Sequence, residues 1–119
     1  MQPISSNTVF HVSDLGKSLD FYSNVLGFTV DFNYGEPPRY AGLSLGNVCL
    51  HLSSSYPYKD NRGHGNLYII CDEVDVFYQK LVDAGVEFYS PIGNQDYGLR
   101  DFAIKDLDEN QIGFGAAIE

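Results

Sequence analysis

One unit is written twice in this chain, and that duplication constrains the fold more than any other feature. The first copy reads "VFHVSDLGKSLDFYSNVLGFTVDF" and the second "LYIICDEVDVFYQKLVDAGVEFYS". Each has a short β-rich run, an Asp (Asp14, Asp72), an aromatic pair (Phe21-Tyr22, Phe77-Tyr78), a Gly (Gly27, Gly85) and a second β-rich run. The Asp and the Gly stand 13 residues apart in both copies, while the aromatic pair is shifted by two, so the copies have diverged. The β-branched and aromatic runs read as strands. Ser13 or Asp14, and Asp72, are placed to cap helix N-termini. Leu15, Leu19, Tyr22 and Leu26 form one apolar helix face, as do Val74, Phe77, Leu81 and Ala84. Gly27 and Gly85 then supply the left-handed residue that ends a helix.

Two further strands follow each copy: "RYAGLSLG" and "NVCLHLSS", with Gly46-Asn47 as the turn, then "LRDFAIKD" and "NQIGFGAA", with "LDE" between them. Each half is therefore βαβββ, and the fold class is α+β. Module one is expected over about residues 5–54 and module two over about 66–119. The segment Ser54 to Gly65, rich in polar residues, Pro and Gly, joins them as a loop inside one domain.

A chain of 119 residues, 44% apolar, suits one domain with one core. Seven Lys plus Arg against sixteen Asp plus Glu leave a formal charge of −9. That balance argues against nucleic-acid partners and anionic lipid, and its field favours the approach of a cationic small molecule. No apolar run approaches a membrane span, and "MQPISSNTVF" lacks the basic-then-apolar pattern of a secretory signal, so a cytoplasmic location is expected. Cys49 and Cys71 lie in apolar segments and are expected to be reduced core residues.

Three stretches carry a family resemblance: "VSDLGKSLDFYSNVLGF", "LYIICDEVDVFYQKLVDAGV" and "YGLRDFAIKDLDENQIGFG". Together they resemble the vicinal oxygen chelate superfamily, which includes glyoxalase I, extradiol dioxygenases and bleomycin-resistance proteins. The last stretch is most similar to the bleomycin-resistance branch, departing at Leu107, where Pro is usual, and Glu109, where Gly is usual. The resemblance implies two tandem modules forming a curled mixed sheet around a cleft, and a homodimer with pockets at the subunit interface. The metal-ligand positions of the family fall on Asn7, His51, Asn66 and Gly113. A catalytic divalent site generally needs three or more His or carboxylate donors. One His, two amides and a Gly fall short, so no metal and no other cofactor is expected. His11, on the strand that follows Asn7, is the candidate replacement ligand, and His64 reads as a solvated loop residue.

"CLHLS" places Cys49, His51 and Ser53 on one face and Leu50 and Leu52 on the other. Taken alone, this polar face is either a cleft or a solvated outer surface; the resemblance points to the cleft. Aromatic residues cluster where the cleft would lie, among them Phe28, Phe32, Tyr34, Tyr40, Tyr97, Phe102 and Phe114. Phe28, Phe32 and Tyr34 share one strand phase. Tyr97, in "QDYG", stands where the resistance proteins place a drug-stacking aromatic. Arg100 either pairs with an acid such as Asp101 or Asp106 or points into the pocket. Gly113 and Gly115 leave room for a ligand to approach the strand closely. The expected ligand site is His51, Tyr97, Arg100, Phe102, Tyr40, Phe32, His11 and Gly113, with no catalytic residue. The expected function is metal-independent sequestration of a small aromatic or cationic ligand. The alternatives are a glyoxalase-type lyase or isomerase with an atypical metal site, and a dimer whose role is regulatory or structural.

Overall fold

In a computed structural model of the chain, which describes residues 1–55 and 62–119, Asp14 opens the first helix. Its carboxylate accepts the Lys17 N–H at 3.0 Å, satisfying one of the donors a helix start leaves unpaired. Helix α1 (Leu15–Asp20) continues as a π-helical turn over Phe21–Val25, in which the Leu26 N–H reaches back to the Phe21 carbonyl. Helix α2 (Val74–Asp83) starts differently: the expected Asp72 cap does not form. Glu73 takes the cap position at φ 44°, and its side chain makes no capping bond. Both helices end as the sequence indicates, with Gly27 at φ 88° and Gly85 at φ 75°.

Eight strands surround these helices: β1 (Thr8–His11), β2 (Thr29–Tyr34), β3 (Tyr40–Leu45), β4 (Val48–Ser53), β5 (Asn66–Ile70), β6 (Phe88–Asn94), β7 (Leu99–Lys105) and β8 (Gln111–Ala117). They form two four-stranded sheets, ordered β1-β4-β3-β2 and β5-β8-β7-β6. In each, the outer pair (β1–β4, β5–β8) is parallel and the other pairs are antiparallel. The two βαβββ modules of the sequence are thus present, and neither sheet closes on itself. The middle of the connector lies outside the described residues; His64, at its end, is exposed.

Each sheet has one face packed into the core and one open face. On sheet one the core face carries Phe10, Ala41, Leu43, Leu50 and Leu52, none more than 1% exposed. On sheet two it carries Ile69, Phe102, Ile104, Ile112 and Phe114. The two sets belong to one hydrophobic cluster together with Leu15, Tyr22, Leu26, Val74 and Leu81 of the helices and their ends. Ala84, at the end of α2, is exposed instead.

A polar node between the modules supplements this shared core. Asp106, at the end of β7, accepts four hydrogen bonds: from the Tyr22 hydroxyl (2.8 Å), the Asn110 side chain (3.0 Å), and the Asp108 and Asn110 N–H groups (2.9 Å each). Asn110 in turn donates to the His11 carbonyl at 3.2 Å and accepts the Gly65 N–H at 2.8 Å. Burial raises the Asp106 carboxyl above its ordinary range, and these donors pull it part of the way back. Its own burial first, and then the same carboxylate, push the Tyr22 phenol far up, so the hydroxyl remains a donor. The motif "DLDEN" therefore joins module one to module two. Glu109, where the family carries Gly, adopts φ 71°.

Two expectations about side-chain placement need correction. Cys49 is exposed, because it lies on the open phase of β4, whereas Cys71, just past the end of β5, is half-buried and packs against the edge of the core. Phe28 does not share a face with Phe32 and Tyr34. The β2–β3 register shifts between Val30 and Phe32, and this bulge inserts Asp31 and inverts the side-chain alternation. Phe28 is consequently 3% exposed in the core, while Phe32 and Tyr34 stand on the open face at 46% and 62%.

Candidate functional site

The open face of sheet one assembles several of the expected residues. Parallel pairing sets Val9 beside His51 and His11 beside Ser53, and antiparallel pairing sets Gly42 beside His51 and Phe32 beside Gly42. The Phe32 ring lies over Gly42, where a Cβ would meet it at 2.1 Å. His51 shares a hydrogen bond with the Tyr40 hydroxyl through Nδ1 at 2.8 Å. Its ring meets Phe32 edge-on at 5.5 Å and Tyr40 at 5.3 Å. Phe32, Tyr40, His51 and His11 are thus brought to one face, with Tyr34 beside them under the Arg39 guanidinium at 5.0 Å.

Tyr97 and Gly113 belong to a second locus, on the open face of sheet two. A pocket of about 360 Å³ is lined there by Asn66, Tyr68, Tyr89, Ser90, Gln95, Tyr97, Asp101, Phe102, Ala103, Gln111 and Gly113. All of these come from module two. Asp101 is 7% exposed, and its Oδ2 accepts the hydroxyls of both Tyr68 (2.7 Å) and Tyr97. Both phenols are held above their ordinary range. Burial leads for Tyr68, with the Asp101 hydrogen bond next; for Tyr97 that hydrogen bond leads. They therefore remain neutral donors to the carboxylate.

Gly113 and Gly115 do offer space, but Tyr68 fills it. A Cβ on Gly113 would stand 2.7 Å from that ring, and one on Gly115 2.1 Å from its hydroxyl oxygen. The glycines accommodate a side chain of this same chain, and Gly113 is buried beneath it. Two other candidates also face elsewhere. Phe102 borders the pocket but is 1% exposed, with its ring against Phe77, Tyr78, Phe88 and Phe114. Arg100 shares its strand phase and so lies on the helix side. There it pairs with Asp75 in the first turn of α2 at 2.8 Å and bonds Asn94 at 3.1 Å. Neither Asp101 nor Asp106 is its partner. The mutual hydrogen bonds hold the Asp75 carboxyl below its usual range and raise the guanidinium.

Tyr68, Tyr89 and Asp101 were not among the sequence candidates, yet the alternation in "LRDFAIK" contains the signal. Phe102 and Ile104 mark the core phase, which leaves Asp101 and Ala103 on the open one.

The metal positions of the resemblance do not supply a divalent donor set. His51 is engaged by Tyr40, Asn66 is exposed, and Gly113 has no donor and is covered by Tyr68. Among the described residues, no group of three or more His, Cys, Asp or Glu side chains could hold a metal ion. The residues present therefore do not fit a divalent catalytic centre.

The model of the Glyoxalase/Bleomycin resistance protein/Dioxygenase superfamily matches residues 6–114. The chain belongs to this superfamily. Among solved structures, a superfamily member from Sphaerobacter thermophilus is 28% identical, with a TM-score of 0.81, covering 97% of this chain and 98% of that one. TnmS3, an antibiotic binding protein from Streptomyces sp. CB03234, is 27% identical, with a TM-score of 0.81 and coverage of 99% and 100%. The bleomycin-binding protein of Streptomyces verticillus, complexed with copper(II)-bleomycin, shares the fold at 23% identity and a TM-score of 0.78, with coverage of 100% and 99%. No curated protein matches the sequence significantly. Drug-binding proteins thus occur among the structural neighbours of this superfamily member. Among the described residues, no helix is long and apolar enough to cross a membrane.

Proposed function

We propose that the chain is a metal-independent small-molecule binding protein of the drug-sequestering type and acts as a homodimer. The observation that carries this reading is the tyrosine-walled pocket on sheet two, with its fixed carboxylate and, among the described residues, no group of side chains that could hold a metal ion. Aromatic walls with a few oriented polar groups suit a flat, partly apolar ligand. The likeness to an antibiotic binding protein at 27% identity supports the same reading. The open faces support the dimer: they expose Phe32, Tyr34, Tyr68, Ile70 and Tyr89 at between 44% and 65%. A second copy would remove this apolar surface from water.

Titration calorimetry with a panel of aromatic compounds, alongside light scattering and metal analysis of the purified protein, tests the proposal. Expected are a dimer, saturable binding of at least one aromatic compound, and a melting temperature unchanged by chelator. Tyr97→Ala should weaken binding on the order of tenfold or more, as losing a central aromatic anchor does. One tightly bound metal per chain, lost together with a turnover that depends on His51, would replace this reading with a metal lyase.

A further inference from the structure

The pocket on sheet two holds a carboxylate that no counter-charge among the described residues neutralises. Asp101 is 7% exposed, and two neutral hydroxyls hold its Oδ2. Hydrogen bonds orient and solvate a carboxylate but leave its charge in place. Among the described residues, no Lys, Arg or His lines the pocket. Arg100 lies on the opposite face of β7 and is bound to Asp75. Lys105, two strand steps beyond Ala103, stands between Glu87 at 3.9 Å and Glu109 at 3.8 Å. A carboxylate removed from water gains most from a counter-charge placed against it.

We propose that this pocket recognises a protonated nitrogen carried on an aromatic ligand, with Asp101 as the residue that reads the charge. The proposal rests on the binding-protein reading and adds the ligand's chemical class to it. Both tyrosine hydroxyls use Oδ2, so Oδ1 is the acceptor presented to an N–H donor. Tyr68 cannot sink further toward the sheet, because its ring is seated on Gly113 and Gly115. It fixes the carboxylate on one side, and Tyr97 closes the other. The faces of Tyr68, Tyr89 and Tyr97 complement the same ligand twice, taking an aromatic body by stacking and a cation by its attraction to the ring. Asn66, Gln95 and Gln111 supply neutral polar groups and would not compensate an anion. At about 360 Å³ the pocket is at the small end of ligand sites, which fits a bicyclic ring system.

Three matched probes isolate the charge: 1-naphthylmethylamine, 1-naphthalenemethanol and 1-naphthaleneacetate, titrated at neutral pH by calorimetry and by protein NMR. The wild type should bind the ammonium about tenfold or more tighter than the alcohol, and the carboxylate most weakly. Asp101→Asn should abolish the preference for the ammonium over the alcohol, and a preference that survives in that variant overturns the assignment to Asp101. Should that variant fail to fold, the double variant Tyr68→Phe, Tyr97→Phe keeps the carboxylate and must keep the preference; its loss there overturns the assignment to Asp101. Equal binding of ammonium and alcohol to the wild type overturns charge recognition and leaves the binding-protein reading standing. Failure of all three probes to bind overturns both.

Discussion

Replacing Tyr22 by Phe removes one oxygen from the centre of the node between the modules and leaves the packing in place. The ring is fully buried, edge-on to Phe21 at 5.5 Å and to Phe28 at 5.6 Å, and Phe keeps both contacts. What is lost is the 2.8 Å hydrogen bond to Asp106. A bond to a charged acceptor is worth about 1.5–3 kcal/mol, and removing the phenol's own desolvation cost returns part of it. Three donors remain on Asp106, so the lower end of the range applies, about 1.5 kcal/mol. For a domain of this size that is a fall of about 5–8 °C in melting temperature. The loss should depend on pH. Burial already raises the Asp106 carboxyl above its ordinary value of 3.8, and the Tyr22 bond opposes that rise. A carboxyl raised on folding costs stability once it is charged, so the native state loses stability as pH climbs from the ordinary value through the folded one. Without Tyr22 the folded value moves further up. The deficit of the variant should therefore be complete at neutral pH and shrink as the solution is acidified toward 3.8, where the protonated acid needs one donor fewer. Urea unfolding at several pH values measures this. A variant as stable as wild type at neutral pH, or a deficit that does not change with pH, would refute the account of the node.

Glu109→Gly places the family's usual residue at φ 71° and relieves a left-handed conformation. It should raise stability by about 0.5–1 kcal/mol, because the strain relieved slightly exceeds the added unfolded-state entropy; a melting curve checks it. Gly115→Ala should cost about 1–3 kcal/mol and release the Tyr68 hydroxyl from Asp101, visible in the Tyr68 ring resonances. Gly42→Ala should cost less, because the Phe32 ring above it has no hydrogen bond to lose when it is displaced, whereas Tyr68 gives up its bond to Asp101; equal costs would count against the difference between the two cradles. Arg100→Ala should leave ligand affinity unchanged, since Arg100 lies on the far side of the sheet, and should return the depressed Asp75 carboxyl to its ordinary range in an NMR titration. The stability that pair contributes is present above the ordinary carboxyl value and lost as pH falls through the lowered one.

Local signals in the sequence determined the architecture. Period-two and helical alternation, the Asp14 cap and the glycines at Gly27 and Gly85 each act over a few residues, and together they define the two βαβββ modules and their helix faces. The same alternation already separated Asp101 from Phe102, and applied strictly it places Phe102 and Arg100 away from the pocket. Other features depend on register and on partners far along the chain. The bulge at Asp31 turns Phe32 and Tyr34 to the open face against the phase of Phe28, and no pattern within β2 announces it. Gly113 and Gly115 look vacant along the strand, and only the parallel pairing of β5 with β8 lays Tyr68 across them. Arg100 finds Asp75 on a helix 25 positions earlier, and Asp106 finds Tyr22 across 84. Sequence periodicity specifies which face a side chain takes. Strand register, twist and helix docking decide which side chain from elsewhere arrives opposite it, and at this site those arrivals are Tyr68 and the carboxylate it holds.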